Sequence, residues 1–198
     1  DVIIKPYDGK LGKGIFKVKK DDLKDDRKLY EYCVKNRMLV EEVIEECEEL
    51  RVLHPQSLNT VRVVTISNGE KAEIVGSFLR MGVGDNVVDN AHAGGVFAQI
   101  NIKNGLVESD GINTDGNKYK THPDSGIELI GYKILKWKDI CERCCEAARY
   151  KGSLITGWDV AVNKEGKIVF VEGNYGPDFD VMQSPLKIGV KKNLFKLI

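Results

Sequence analysis

The chain has 198 residues, of which 42% are apolar and 30% charged, and its 30 basic and 30 acidic side chains cancel to a formal net charge of zero. These values fit a globular chain long enough for one large or two small domains, and the charge balance removes the main argument for a nucleic-acid surface. No apolar run approaches the roughly 18–20 residues that span a bilayer, and no secretory signal is legible.

The chain opens on Asp1, not Met, and enters a strand-like run, Val2–Pro6, at once, so upstream sequence is expected to be missing. Asp8-Gly9-Lys10-Leu11-Gly12-Lys13-Gly14 follows, then a second strand over Ile15–Lys19. Strand, Gly-rich loop and strand form a flap whose backbone N–H groups can approach phosphate. No helix follows the loop, which argues against a Rossmann or Walker-type turn; a plain hairpin is the competing reading. Lys5 supplies a positive charge beside the loop. Asp21–Asn36 reads as a polar helix with Leu23, Leu29, Tyr30, Cys33 and Val34 available for burial. Arg37–Glu42 returns as a strand and leads through Glu41-Glu42-Val43-Ile44 into an acidic segment, Glu45–Leu50.

Thr60–Ser67 and Lys71–Met81 form a hairpin about Asn68-Gly69. They carry Arg62 and Arg80, and arginines inside β-rich runs either solubilise a strand edge or bind anions. Gly82–Gly95 is a long loop dense in Gly, Asp and Asn, with Asp89 and His92 as its candidates for chemistry; an ordered turn with Asx capping is the alternative. Val96–Ile102 and Leu106–Asp110 are expected to pair as a further hairpin, Gly111–Asp124 to be polar loop, and Trp137–Tyr150 to be an amphipathic helix. The tail is expected to run as loop over Gly176–Pro185 and close with a helix over Lys187–Leu197. Five cysteines, an odd count without a secretory signal, point to reduced thiols in the cytoplasm. Cys141, Cys144 and Cys145 read as helical thiols in preference to half of a zinc site.

The chain is organised around Gly157–Asn174, GWDVAVNKEGKIVFVEGN. Two β-rich runs flank Asn163-Lys164-Glu165-Gly166. A four-residue loop pairs Val162 with Lys167, Ala161 with Ile168, Val160 with Val169 and Asp159 with Phe170. Asp159, Glu172 and Asn174 then share a face, with the two carboxylates diagonal and roughly 7–8 Å apart at Cα. Two carboxylates and an amide oxygen, with no Lys or Arg among them, call for a positive partner, and a hard divalent cation such as Mg²⁺ suits oxygen ligands. A solvent-facing acidic hairpin is the competing reading, and a one-residue slip would turn Asp159 to the other face. Antiparallel hairpins with helices outside them make the fold class α+β.

The order of these signals resembles the ATP-grasp superfamily, and most of all the sugar-transfer-associated ATP-grasp proteins. Ser57-Leu58-Asn59-Thr60-Val61-Arg62, Asp89-Asn90-Ala91-His92-Ala93-Gly94-Gly95, His122-Pro123 with Gly126, and Gly157-Trp158-Asp159 carry the match over nearly the whole chain. The resemblance implies two lobes built on largely antiparallel sheets with flanking helices, a small lobe over 1–43 and a large lobe over 44–198, holding ATP between them. It implies that Lys5 contacts the nucleotide phosphates under a flap of Gly9, Gly12 and Gly14. Glu41, Glu42, Val43 and Ile44 would lie by adenine and Glu48 by the ribose. Asp159, Glu172 and Asn174 would hold one or two Mg²⁺ ions, and Arg62 and Arg80 would face the γ-phosphate or a substrate carboxylate. The resemblance also implies sequence before the Lys5-Pro6 strand, and the completeness of the substrate site is expected to depend on it.

The activity implied is an ATP-dependent ligase. A small-molecule carboxylate attacks the γ-phosphate, and the acylphosphate is taken by an amine, thiol or hydroxyl acceptor, with His92 helping the acceptor lose its proton. The family name sets this in polysaccharide or glycan building, with a sugar-linked acceptor and no nucleic acid or membrane span. Phosphoryl transfer without ligation and a catalytically inactive nucleotide-binding module are the alternatives.

Overall fold

The computed structural model describes residues 1–8, 14–22, 26–85, 94–151, 153–177, 179–187 and 189. The chain divides into two compact units, Asp1–Glu45 and Glu46–Ile198.

The first unit is a three-stranded antiparallel sheet, β2-β1-β3, of β1 (Val2–Pro6), β2 (Phe16–Val18) and β3 (Met38–Glu42), with helix α1 (Asp26–Lys35) joining β2 to β3. The pairing Ile4↔Phe16 and Ile4↔Val40 sets Ile4 at the centre of the sheet, fully buried. Within α1 Cys33 is the buried residue, while Tyr30 and Val34, expected to bury, are 69% and 60% exposed. Gly14 has φ +76°, and a Cβ there would stand 3.0 Å from the Pro6 ring, so the chain re-enters the sheet at a position suited to glycine. The flap tip with Gly9 and Gly12 lies outside the described residues.

The second unit is built on a seven-stranded antiparallel sheet of order β10-β9-β4-β5-β6-β7-β8. Its strands are β4 (Thr60–Ser67), β5 (Ala72–Met81), β6 (Val96–Gln99), β7 (Gly111–Ile112), β8 (Lys118–Tyr119), β9 (Ile155–Val162) and β10 (Ile168–Tyr175). Helix α2 (Glu48–Arg51) precedes β4, α3 (Trp137–Lys151) precedes β9 and α4 (Phe179–Gln183) follows β10. One sheet face carries Val61, Val63, Leu79, Met81, Ala98, Trp158, Val160 and Val162 into the main core, where Trp137, Ile140, Cys144 and Ala148 of α3 meet them at helical spacing. The other face holds a smaller apolar cluster of Val64, Ile66, Phe78, Phe97, Ile112 and Met182.

Several expectations are corrected. The Val96–Ile102 and Leu106–Asp110 runs do meet about Asn104-Gly105, but only over one bridge, Ile100 with Val107, closed by Asn101 N–H to the Leu106 carbonyl and Glu108 N–H to the Gln99 carbonyl, while the Val107 N–H donates to the Tyr132 carbonyl. The polar stretch 111–124 contains β7 and β8, which extend the sheet. The tail holds α4 where loop was expected, because Gly76 of β5 leaves a hollow that Met182 fills; a Cβ at Gly76 would stand 2.4 Å from the Met182 methyl. The closing helix falls largely on residues outside those described. The central hairpin is slipped by one: Val162 pairs with Ile168, since Asn163 closes the turn by taking the Lys167 N–H on Oδ1. A β-bulge between Phe170 and Glu172 adds a second residue of offset, which returns Glu172 to the expected face and sets it directly opposite Asp159.

Candidate active site

Strand register alone assembles the site. Glu172 on β10 is opposite Asp159 on β9, Asp159 is opposite Arg62 on β4, Arg62 is opposite Phe78 on β5, and Phe78 is opposite Gln99 on β6. Directly opposed residues share a face, so these five form one row across the sheet, on the face away from α3. Arg80 and Asn174 lie on the same face, two residues from Phe78 and Glu172.

Within the row a buried ion-pair cluster forms. Arg62 grips Asp159 in a bidentate pair, Nε to Oδ1 and Nη2 to Oδ2, the latter at 2.7 Å. Arg80 reaches across β4 and donates from Nη1 to the same Oδ2 at 2.6 Å. The side chains of Arg62, Arg80 and Asp159 are 13%, 11% and 5% exposed. Burial alone would push the Asp159 carboxyl up; the Arg80 and Arg62 guanidiniums more than offset it and hold it below the usual carboxylate range. Gly157 makes room for this arrangement, because a Cβ there would meet Arg62 Cδ at 3.2 Å and Pro177 at 3.0 Å. Behind Asp159, Trp158 points into the core and donates its indole N–H to Thr65 Oγ1 at 2.9 Å.

The positive partner that the sequence reading sought in a cation is thus supplied by the protein itself, and the premise that no Arg stands among the carboxylates is corrected. Arg62 on β4 and Asp159 on β9 are 97 residues apart in sequence, so local pattern does not place them together. Glu172 is exposed and Asn174 half-buried. Among the described residues no cluster of three or more His, Cys, Asp or Glu side chains fits a metal ion. Glu172 and Asn174 fit Mg²⁺ in the manner of sites completed by nucleotide phosphates; Asp159, with both oxygens engaged by guanidinium, does not fit as it stands.

In the first unit Lys5 and Glu41 are brought together as an ion pair at 2.7 Å, with 23% and 43% of their side chains exposed. Glu42 is exposed, and Val43 and Ile44 are half-buried just past β3. Glu48, in the second unit, pairs with Arg51 at 2.6 Å on α2. His92 and Asp89 lie outside the described residues.

The structure adds a buried network absent from the sequence-derived candidates. His54 and His122 are fully buried with ring centroids 5.9 Å apart. His122 Nε2 is 2.8 Å from the Gly82 carbonyl and His54 Nε2 is 2.8 Å from the Gly84 carbonyl. Carbonyls only accept, so both rings carry their proton on Nε2. Nδ1 of His54 then accepts from Ser57 Oγ at 2.9 Å, and Nδ1 of His122 accepts from the Asp124 and Ser125 amides at 3.3 and 3.4 Å. Asp124 Oδ2 takes the Gly84 N–H at 2.8 Å. Three side chains from two distant segments thus fix Gly82–Gly84, the exit of the strand that carries Arg80. Burial pushes the His122 imidazole down, against the Gly82 carbonyl and Asp124 charge that favour its protonated form. Asn59 braces the same segment by donating from Nδ2 to Glu46 Oε2 and to the Leu50 and His54 carbonyls at 3.0–3.1 Å. Two His-Pro pairs and the spacing Gly82-Val83-Gly84 were the sequence signals for this network.

The mixed α+β architecture with antiparallel sheets and few helices is that of an ATP-grasp protein. The chain belongs to the sugar-transfer associated ATP-grasp family, whose model matches residues 1–197. No individual curated protein matches the chain. Membership implies ATP-dependent, ligase-type activity on small molecules, with ATP and Mg²⁺ as the general ligands of the fold. No helix among the described residues is long and apolar enough to cross a membrane.

Proposed function

We propose that the protein is an ATP- and Mg²⁺-dependent ligase that activates a small-molecule carboxylate as an acylphosphate. The carboxylate oxygen bonds to the γ-phosphorus, the bond from that phosphorus to the β,γ-bridging oxygen breaks, and ADP departs. An amine, thiol or hydroxyl then attacks the acyl carbon, phosphate leaves, and the proton of the acceptor passes to a base, the role given to His92. The observation that carries this reading is the pair of arginines bridged by Asp159 beside Glu172. Two guanidiniums share one carboxylate between them, with Glu172 opposite it to meet a cation, and their planar forks suit carboxylate or phosphoryl oxygens.

Mg²⁺, when bound with the nucleotide, supplies further positive charge to the phosphates. Glu172 and Asn174 are the residues proposed to hold it. Lys5 and the flap residues Gly9, Gly12 and Gly14 are assigned to the phosphates, Glu41, Glu42, Val43 and Ile44 to adenine, and Glu48 to the ribose. For Lys5 and Glu48 these assignments require their present partners, Glu41 and Arg51, to be exchanged for the ligand. The family name supports a sugar-linked acceptor in polysaccharide or glycan building.

The test is thermal unfolding with ATP or ADP, each with and without Mg²⁺, against GTP. A ligand at 100 times its Kd that binds only the folded state adds about 2.7 kcal/mol. The expected result is a shift for adenine nucleotides that grows with Mg²⁺ and loses its Mg²⁺-dependent part in Glu172→Gln. Equal shifts with GTP, or an unaltered Mg²⁺ response in that variant, would overturn the assignment.

A further inference from the structure

We infer that Asp159 is the fixed counter-ion of an arginine cradle for an anionic group, and that the cation-facing donors of this sheet face are Glu172 and Asn174 alone. This deepens the ligase reading and rests on it only where nucleotide is concerned. The role of Asp159 is to position Arg62 and Arg80.

The argument is one of donors and charge. A carboxylate offers about four lone-pair sites, and three N–H groups already occupy those of Asp159: Arg62 Nε on Oδ1, and Arg62 Nη2 and Arg80 Nη1 on Oδ2. Its side chain is 5% exposed, so a cation has little access to what remains. Freeing Asp159 for a cation would take from Arg62 both bonds of its bidentate pair and from Arg80 its bond to Oδ2, and would place a further positive charge beside two guanidiniums that are 13% and 11% exposed. An anion meets the opposite situation. Arg62, Arg80 and Asp159 taken by themselves carry one positive charge more than negative, which Glu172 opposite Asp159 balances until a cation engages it; the two forks are already oriented, so a phosphoryl or carboxylate group gains contacts without ordering either side chain. The local sequence is cut to this purpose. Gly157 lies two residues before Asp159 on the same face and leaves space for the Arg62 stem, and Ser77 Oγ donates to the Arg62 carbonyl at 2.8 Å, holding the strand behind it. Glu172, directly opposite Asp159, is by contrast exposed and engages neither arginine among the contacts described.

Two measurements test this on the whole protein with Asp159→Asn and Glu172→Gln. In the first, ADP is titrated with and without Mn²⁺ by calorimetry. Glu172→Gln should weaken the Mn²⁺-dependent part of the affinity by at least about tenfold, roughly 1.4 kcal/mol, and Asp159→Asn by no more than about a factor of two. A loss in Asp159→Asn equal to that in Glu172→Gln would overturn the inference. In the second, unfolding is followed with inorganic phosphate as the probe. Asp159→Asn leaves the arginines without their internal counter-ion, so phosphate should raise its midpoint more than that of the wild type, and Asp159→Asn/Arg80→Gln should lose the extra rise. An equal response in wild type and Asp159→Asn would overturn the inference. If Asp159→Asn does not fold, Arg80→Gln keeps the Arg62–Asp159 pair while releasing one contact from Oδ2. A cation ligand would then bind Mn²⁺ more tightly, and the inference requires no tightening. A wild type that binds no ADP with or without Mn²⁺ would refute the ligase reading, while the phosphate comparison would still decide the role of Asp159.

Discussion

Acidification should destabilise the fold through His122 in a window set by the unfolded chain. The ring is fully buried, its Nε2 proton is committed to the Gly82 carbonyl, and its Nδ1 faces two backbone amides at 3.3 and 3.4 Å. Protonating Nδ1 would turn an acceptor into a donor aimed at donors. The titratable groups near it are His54, whose ring opposes its charge, and Asp124, which favours it; burial outweighs the latter, and the folded pKa is lowered. The unfolded chain therefore binds a proton that the folded chain refuses. Stability from this site is complete above the unfolded value of about 6.5 and is lost as pH falls below it, by up to about 1.4 kcal/mol per pH unit, until the folded pKa is reached. Asp159 acts in a separate window: its folded pKa is also lowered, so its contribution is present above a carboxylate's unfolded value of about 3.9 and is lost only below it. Urea unfolding at stepped pH between about 7.5 and 5 should show the slope, and His122→Gln, which can donate to Gly82 but cannot titrate, should remove one proton's worth of it. Nitrogen-15 spectra of the three histidines in the chain should show two rings fixed as Nε2–H tautomers. An unchanged slope in His122→Gln, or a His122 ring that titrates at the ordinary value, would refute the reasoning.

Gly82→Ala should cost about 1–3 kcal/mol by overpacking, because its Cβ would fall 2.3 Å from Ser57 Oγ and 2.6 Å from His54 Nδ1; a loss within the error of the urea midpoint would show that this corner is loosely packed. Among the thiols, burial pushes Cys141 up to about 12 and Cys144 higher still. Alkylation at about pH 8, read by peptide mass spectrometry, should therefore be slow at both in the folded protein and fast once urea exposes them, and rapid labelling of folded Cys144 would contradict its place under the sheet.

Local pattern carried much of the fold. Alternation and an Asn68-Gly69 turn suffice to place β4 against β5, and the α3 face is readable from Trp137, Ile140, Cys144 and Ala148 at intervals near one turn. What was not legible depended on contacts distant in sequence. α4 forms against a hollow at Gly76, more than 100 positions earlier, and nothing in Phe179–Gln183 advertises that hollow. β7 and β8 are two residues each, too short for periodicity to register; β7 forms on the edge that β6 offers and β8 on the edge of β7. The central hairpin shows both sides of the matter. Its strands were clear, but its turn takes one residue more than the Asn-Lys-Glu-Gly run suggests, and a bulge restores the face of Glu172 by tertiary pairing with Asp159.

The same distinction separates the residues that hold the site from those that face its ligand. In the segment from His54 to Arg62, His54, Ser57 and Asn59 spend their hydrogen bonds on backbone carbonyls, on one another and on Glu46, all of them buried. Arg62 spends its own on another charged side chain at the edge of solvent. These residues lie together in one short segment, yet their chemistry differs: the first group satisfies polar atoms that folding has taken from water, which is a demand of stability, while a buried bidentate ion pair is poor value for stability alone. The presence of Arg62, Arg80 and Asp159 together on one sheet face, when apolar residues of equal size would often pack there as well, is the strongest physical reason to assign that face to ligand binding.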